Sequence, residues 1–471
     1  CFECMQCEGI SPNGITFVCI MKACGKTKAI DEGKRIHEEI VCKGFLENDI
    51  VVGNALVDMY VKCGAIRKAK EVLEGLPVQD TVSCSALIRG YGLQGQGNAV
   101  RKCFERLQRE DLSIDEITFI SMMKACSSVG AFDQGKQIHE DIVRRGLLVK
   151  DIIVATALVD MYSKFGLLTR AQEVVEELPI QNIVPWNALL TGYVEWDQGH
   201  KALSCLESMQ EGGLSPNEVT FLCILKACGL VGAIDKGRGI HYDLESRGLL
   251  ERDIVVGTAL IDMYAKCGAL SKAEQVLEEL PIRNVLSWSS LISGYSQQGQ
   301  GQEALNCFEK MQHDNVSPDL ATVVSCLKAC SQLGASEKGQ EIHEEIVGRG
   351  LGNDLVLGNA LINMYVQFGS IEDAQLSFDS LSERDAISWT AMITALAEHG
   401  KTSEALLYYV QMQEEGKKPN EVSFVNILCA CATQVALVEG RLLHTCIVEN
   451  GLGISIDLGN ALINLYGKCG S

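Results

Sequence analysis

The chain is poor in the residues that build most recognition sites. Aromatic residues make up 6% of its 471 positions. That excludes, as the main device, a surface on which each base of a single strand stacks on a ring. Proline occurs only 8 times, so little interrupts a helix. Positive charge is in deficit: 41 Lys and Arg face 61 Asp and Glu, for a net charge of −20. This weighs against a ligand held mainly through phosphates, whose binding is dominated by cationic surface. No apolar run approaches the roughly 20 residues of a membrane span, and no membrane partner is expected. There is no Gly-rich phosphate loop and no G-x-S-x-G nucleophile motif; the glycines sit at turns.

What the chain has instead is a period. The stretch GNALVDMYVKCG at Gly53–Gly64 returns as ATALVDMYSKFG from Ala155, GTALIDMYAKCG from Gly257, GNALINMYVQFG from Gly358 and GNALINLYGKCG from Gly459. The spacings are 102, 102, 101 and 101 residues. A period held that tightly implies an array of supersecondary units, which has no size limit set by a single core.

The 21 cysteines follow the same period: Cys24, Cys126, Cys228 and Cys330 in KAC, and Cys63, Cys267 and Cys469 before a turn glycine. Periodic placement favours buried free thiols that serve as small apolar fillers, hence a reducing compartment. Cys4-x-x-Cys7 has no second such pair and aligns with Lys310 and His313, so no zinc site is expected. His37-x-Glu39 and His343-x-Glu345 lack the P-C-x-x-C partner of a zinc deaminase. The set His37, His139, His241, His343 and His444 keeps the repeat spacing, which favours a packing or surface role over a metal cluster. No metal or organic cofactor is expected.

The first three periods divide into hairpins of 36, 31 and 35 residues, 14–49, 50–80 and 81–115; 116–151, 152–182 and 183–217; 218–253, 254–284 and 285–319; the fourth, 320–354, 355–385 and 386–420, has 35, 31 and 35, and a further 35-residue hairpin, 421–455, follows. Residues 1–13 are the tail of an earlier repeat and 456–471 open another. The expectation is therefore a piece of a longer protein, with any targeting segment upstream. Every hairpin reads as two helices. In 50–80, Val52, Leu56, Met59 and Tyr60 share one helical face. Gly64 closes that helix, and a second one, with Ala69, Val72, Leu73 and Leu76, is expected to end at Pro77. Such a hairpin cannot bury its faces alone and stacks on its neighbours. The fold class is all-α, a superhelical solenoid of stacked hairpins.

The segments SWSSLISGY (Ser287–Tyr295), EALNCFEKM (Glu303–Met311), LKACGLVGAIDKGRGIH (Leu225–His241) and GTALIDMYAKCG resemble the pentatricopeptide repeat family, in its subclass with alternating lengths of about 35, 35 and 31 residues. The resemblance covers the whole chain. It implies a right-handed superhelix and sequence-specific binding of single-stranded RNA, one base per repeat.

Asn54, Asp58 and Lys62, four residues apart, form a polar row on the first helix, with Lys164, Lys266 and Lys468 at equivalent places. A neutral-to-basic groove on an acidic body is the expectation. The variable residue of that row has a companion at the end of its hairpin. The pairs are Asn54 with Asp80, Ser85 with Asp115, Thr156 with Asn182, Asn187 with Asn217, Thr258 with Asn284, Ser289 with Asp319, Asn359 with Asp385, and Thr390 with Asn420; Asn460 has no companion within the chain. All are short hydrogen-bonding side chains, able to read the edge of an unstacked base. The plainer alternative is that they are helix-capping polar residues.

By the resemblance, the fifth and last residues of a repeat read the base. Asn with Asp favours U, Asn with Asn favours C, Ser or Thr with Asp favours G, and Ser or Thr with Asn favours A. Val18, Ile120, Leu222, Val324 and Val425 occupy the fifth place of the remaining hairpins and cannot hydrogen-bond a base. The implied target is 5′-N-U-G-N-A-C-N-A-G-N-U-A-N-Y-3′. Val51, Val82, Ile153, Val184, Val255, Leu286, Val356 and Ile387, at the second place, are implied to clamp the base between repeats; plain packing between repeats is the alternative. The subclass specifies cytidines for C-to-U editing in mitochondria or chloroplasts through a C-terminal deaminase. These 471 residues contain none, so the chain is not expected to be an enzyme. The 36-residue hairpins are where that family meets editing cofactor proteins. A role in RNA stabilisation or processing, or as a protein-binding scaffold in an organellar ribosome, stands as the alternative.

Overall fold

A computed structural model describes residues 2–78, 80–109, 114–179, 181–348, 350, 354–449 and 455–470. Among them the chain forms 31 helices and no strand, and none of its helices is long and apolar enough to cross a membrane. It divides into two compact bodies, residues 1–231 and 232–471.

In the first body, first helices begin at Gly14, Ile50, Thr81, Glu116, Ile152, Ile183 and Glu218. In the second they begin at Ile254, Val285, Leu320, Leu355, Ala386, Glu421 and Ile456. Within each body a first helix packs on its own second helix and on the next first helix, which is an all-α solenoid of stacked hairpins. The apolar stripe supplies the contact. Leu56, Met59 and Tyr60 are buried, as are Leu158, Met161 and Tyr162, and Leu260, Met263 and Tyr264. Each such side chain contributes about 1.5–3 kcal/mol on burial. Close approach needs glycine at one place. A Cβ on Gly53, Gly257 or Gly358 would lie 2.6, 2.5 or 2.4 Å from a methyl of Leu76, Leu280 or Leu381.

Three details differ from the sequence expectation. The second helix of 50–80 ends at Gly75, with Leu76 already extended, because the residue before a proline is barred from the helical region. The 36-residue hairpins are not simple pairs. A third, one-turn helix follows at Phe45–Asn48, Leu147–Lys150 and Leu249–Arg252, launched each time by a glycine with φ of 61–69°. The equivalent stretches near 351 and 451 lie outside the described residues. Finally, the 20 described cysteines are thiols rather than disulfides, and Cys24, Cys126, Cys228 and Cys330 are buried, but Cys63, Cys267 and Cys469 are only partly so. Burial pushes the Cys126 and Cys330 thiols up to about 11, which leaves them protonated and inert.

Candidate nucleic-acid interface

Four of the eight sequence pairs, 26 or 30 residues apart, meet directly in space and a fifth meets through a bridging hydroxyl. Asn54 donates through Nδ2 to Asp80 Oδ2 at 2.7 Å, and Asn187 to Asn217 Oδ1 at 3.0 Å. Asn359 donates to Asp385 at 3.3 Å, and Thr390 Oγ1 lies 3.5 Å from Asn420 Oδ1. Ser85 reaches Asp115 through Thr118, whose hydroxyl bonds both. Thr156 and Thr258 instead turn their hydroxyls onto the carbonyls of Ile152 and Ile254, both at 2.8 Å. Ser289 is buried beside its helix, while Asn460 is exposed.

The last residue of each pair has a second task. Asp80, Asp115, Asn182, Asn217, Asn284, Asp319, Asp385 and Asn420 each accept a backbone N–H at the start of the following helix. The capping alternative is thus true of these eight, and it does not compete with a groove-facing role. A carboxylate has two oxygens and an amide has an oxygen and a nitrogen, so one end caps and the other remains. The helix N–H groups take the amide oxygen, which leaves Nδ2 of Asn182, Asn217, Asn284 and Asn420 as the donor end. In the aspartates the remaining oxygen is an acceptor. Burial opposes ionisation of Asp80 and Asp385. The amide and hydroxyl of Ser83 or Ser388, with Asn54 or Asn359, outweigh it and hold both carboxyls below the usual range. One atom on each Asn partner stays unmatched: Oδ1 of Asn54 and of Asn359 is buried without a hydrogen bond.

Beside these pairs runs an exposed aliphatic series. Val51, Val82, Ile153, Val184, Val255, Leu286, Val356 and Ile387 are 49–61% exposed. Packing between repeats would have buried them, so that alternative fails for the second place. Ile15, Ile117, Val219 and Val422 continue the series in the first hairpins of their periods. The lysines of the polar row are not free cations. Lys62, Lys164 and Lys266 pair with Asp58, Asp160 and Asp262 at 2.6–2.8 Å, and Arg89 also reaches Asp58 at 2.7 Å. At these positions the row is neutral rather than basic.

Crevices of about 700 Å³ lie elsewhere, one of them among Lys70, Leu73, Leu87, Tyr91, Lys102 and Arg106. It opens beside the short second helix Ile66–Gly75 of a 31-residue hairpin. The paired residues therefore form a row, not a small-molecule pocket.

Known proteins place this geometry. The family described as "PPR repeat family" matches residues 181–229, 283–332 and 384–433. That described as "PPR repeat" matches 15–45, 54–77, 82–112, 117–147 and 258–285. A chloroplastic pentatricopeptide repeat-containing protein of Arabidopsis thaliana is 33% identical over 93% of this chain and 70% of its own length. The chain belongs to the pentatricopeptide repeat family. A mitochondrial pentatricopeptide repeat-containing protein of the same plant is 31% identical over 99% of the chain. The chain spans 45% of that protein's length, and 57% and 53% of two other chloroplastic ones. Among solved structures, the maize pentatricopeptide repeat protein PPR10 covers 99% of the chain and 73% of its own length, with TM-score 0.71 and 19% identity, which shows the fold. PPR10 has also been solved in complex with an 18-nt psaJ RNA element, at TM-score 0.60.

The periodic histidines have a structural role in this pentatricopeptide array. His37, His139, His241, His343 and His444 each bond through Nδ1 to a tyrosine hydroxyl of the next first helix, Tyr60, Tyr162, Tyr264, Tyr365 and Tyr466, at 2.7–3.0 Å. The rings meet edge to face. Among the described residues no group of three or more His, Cys, Asp or Glu could hold a metal. Burial lowers the first four imidazoles below their ordinary value of 6.5. The unfolded chain then takes up protons first. The contribution to stability is whole above pH 6.5 and drains as the pH falls toward the folded values. The thermal midpoint is expected to drop by a few degrees between pH 7.5 and 5.5, and His241→Gln to flatten part of that slope. A midpoint independent of pH across this range would contradict the coupling.

Proposed function

We propose that the chain binds single-stranded RNA in a sequence-specific way, one base per hairpin, as read by the fifth and last residues. The observation that carries this is the capped pair. Uracil and guanine present a ring N–H on the pairing edge, while cytosine and adenine present a bare ring nitrogen. An ionised aspartate whose second oxygen faces outward suits the first two. An asparagine whose oxygen is committed to a helix end offers a donor and suits the second two. The fifth residue sorts by size: Ser and Thr leave room for a purine, and Asn reaches toward a pyrimidine. The exposed second-place aliphatics supply an apolar clamp on either side of each base.

The RNA so specified is 5′-N-U-G-N-A-C-N-A-G-N-U-A-N-Y-3′. Its first six positions fall on the first body and its last seven on the second. A polar row whose lysines are held by carboxylates gains little from counterion release. Binding is then carried by many hydrogen bonds of about 1 kcal/mol each acting together. Organellar location is supported by relatives named chloroplastic and mitochondrial. The finer reading is a specificity factor for C-to-U editing, with editing cofactor proteins at the 36-residue hairpins. It rests on the 36, 31 and 35 spacing.

Equilibrium binding to the 14-mer and to a scramble of equal composition tests the reading. The 14-mer is expected to bind at least tenfold tighter, with a shallow dependence on salt. Equal affinities at low salt would point to a protein-binding scaffold instead.

A further inference from the structure

The third residue of the following hairpin belongs to each base reader; this we infer from its chemistry and burial, and the inference rests on the RNA reading above. After every pair that can hydrogen-bond a base, save one, that place carries a hydroxyl: Ser83, Thr118, Thr220, Ser287, Thr322, Ser388 and Ser423. After the first hairpin of each period, whose fifth residue is aliphatic, it carries Val52, Val154, Val256, Leu357 or Leu458. Hydroxyl and aliphatic alike are 0% exposed. A capping requirement does not explain the split. Asp49 and Asp354 cap the helices that follow them through backbone N–H groups alone, with Val52 and Leu357 at the third place. The hydroxyl tracks the readable pair.

The hydroxyls act in two ways. In the 31-residue hairpins they bond the last residue. Ser83 and Ser388 donate to Oδ1 of Asp80 and Asp385 at 2.9 and 2.8 Å, and Ser287 holds the Asn284 backbone. In three of the four 35-residue hairpins that close a period they reach both members of the pair, while Thr322 bonds Asp319 alone. Thr220 Oγ1 lies 2.7 Å from Asn187 Oδ1 and 2.9 Å from Asn217 Oδ1. Ser423 Oγ lies 2.8 Å from Thr390 Oγ1 and 2.9 Å from Asn420 Oδ1. With its oxygen held by Thr220, Asn187 can turn only nitrogen to Asn217 and the groove. The buried hydroxyl therefore fixes which way the reading amides face. It never touches the RNA, so it is a positioning residue.

The exception is a natural control. Pro185 occupies this place after the pair Thr156 and Asn182. Proline supplies neither hydroxyl nor N–H. Asn182 is left with the single amide of Val184 at 2.9 Å, and its backbone sits at φ −136°, ψ 140° against −103°, 174° for Asn284. The fifth base, A, is then the loosest of the eight assigned.

The test uses the whole chain and 14-mers that differ at one base. Wild type is expected to prefer C to U at the sixth base by about tenfold. Thr220→Val, of equal shape, should cut that ratio at least threefold with melting still cooperative, and Thr220→Ser should restore it. Pro185→Ser should raise the A-over-G ratio at the fifth base at least twofold. A Thr220→Val chain with the wild-type ratio, or a Pro185→Ser chain with no gain, overturns the inference; the second arm decides if Thr220→Val does not fold. A wild type without preference at the sixth base would instead refute the RNA reading itself.

Discussion

Replacing Asn54 with Thr and Asp80 with Asn is expected to turn the preference at the second RNA base from U to A. At present Asn54 gives an N–H to Asp80, and Asp80 keeps its other oxygen on the N–H and hydroxyl of Ser83. Asparagine caps a helix as well as aspartate does, and in Asp80→Asn the Asn54 amide has to turn over so that its unmatched Oδ1, not Nδ2, meets the new amide. What changes is the outward atom, from acceptor to donor. Uracil's ring N–H would then face another donor, while a bare ring nitrogen finds a partner. Asp80→Asn alone reproduces the chemistry of Asn187 with Asn217 and should favour C. Adding Asn54→Thr reproduces Thr156 with Asn182. A threonine there is expected to turn onto the Ile50 carbonyl, as Thr156 does onto Ile152, and to make room for a purine. A donor facing a donor costs about 1–3 kcal/mol, or about five- to a hundredfold in affinity. Four RNAs that differ only at the second base measure it. An unchanged preference for U in the double variant would falsify the assignment of the pair.

Much of this site was legible in the sequence, because the period does the aligning. Once Asn54 is seen to vary inside a constant helix, the same logic finds Asp80 at the far end of the hairpin. No pattern within one helix would pair residues 26 apart. Other features were less accessible for physical reasons. A four-residue helix such as Phe45–Asn48 has no periodicity to read, and only its glycine announces it. A β-branched residue at the start of a helix also reads as core, so the residue types alone left Val51 and its counterparts open between a clamp and packing between repeats, and their exposure decides against packing. The neutral row was visible in part. Asp58 and Lys62, four apart, are a standard helical ion pair. Arg89, which joins them from the next hairpin, becomes a neighbour only when the hairpins stack. The double use of the last residue was also half visible. Asp followed three residues on by Ser or Thr is a capping signature, and it is the same side chain that the proposed code assigns to the base.

Alanine at Val51, Val82, Ile153 and Val184 together should weaken RNA binding by about 2–4 kcal/mol, thirtyfold or more, while leaving the fold intact. The argument turns on where these side chains stand before RNA arrives. At 49–61% exposure they contribute little to folding, and surface substitutions of this kind change stability by about 0.5 kcal/mol or less each. A base inserted between two of them would cover the area now open to water, at about 0.5–1 kcal/mol per truncated side chain. Shortening a valine that packs between repeats would do the opposite, lowering the melting temperature first and binding only as a consequence. Val52, next in sequence to Val51 and fully buried, is the matched control. Val52→Ala should destabilise the chain by about 1–3 kcal/mol with little change in affinity for the folded protein. Melting curves and binding isotherms on the two variants therefore move in opposite senses if the exposed series is a clamp. If the quadruple variant melts early and binds normally, these residues hold the solenoid together and the base is gripped elsewhere.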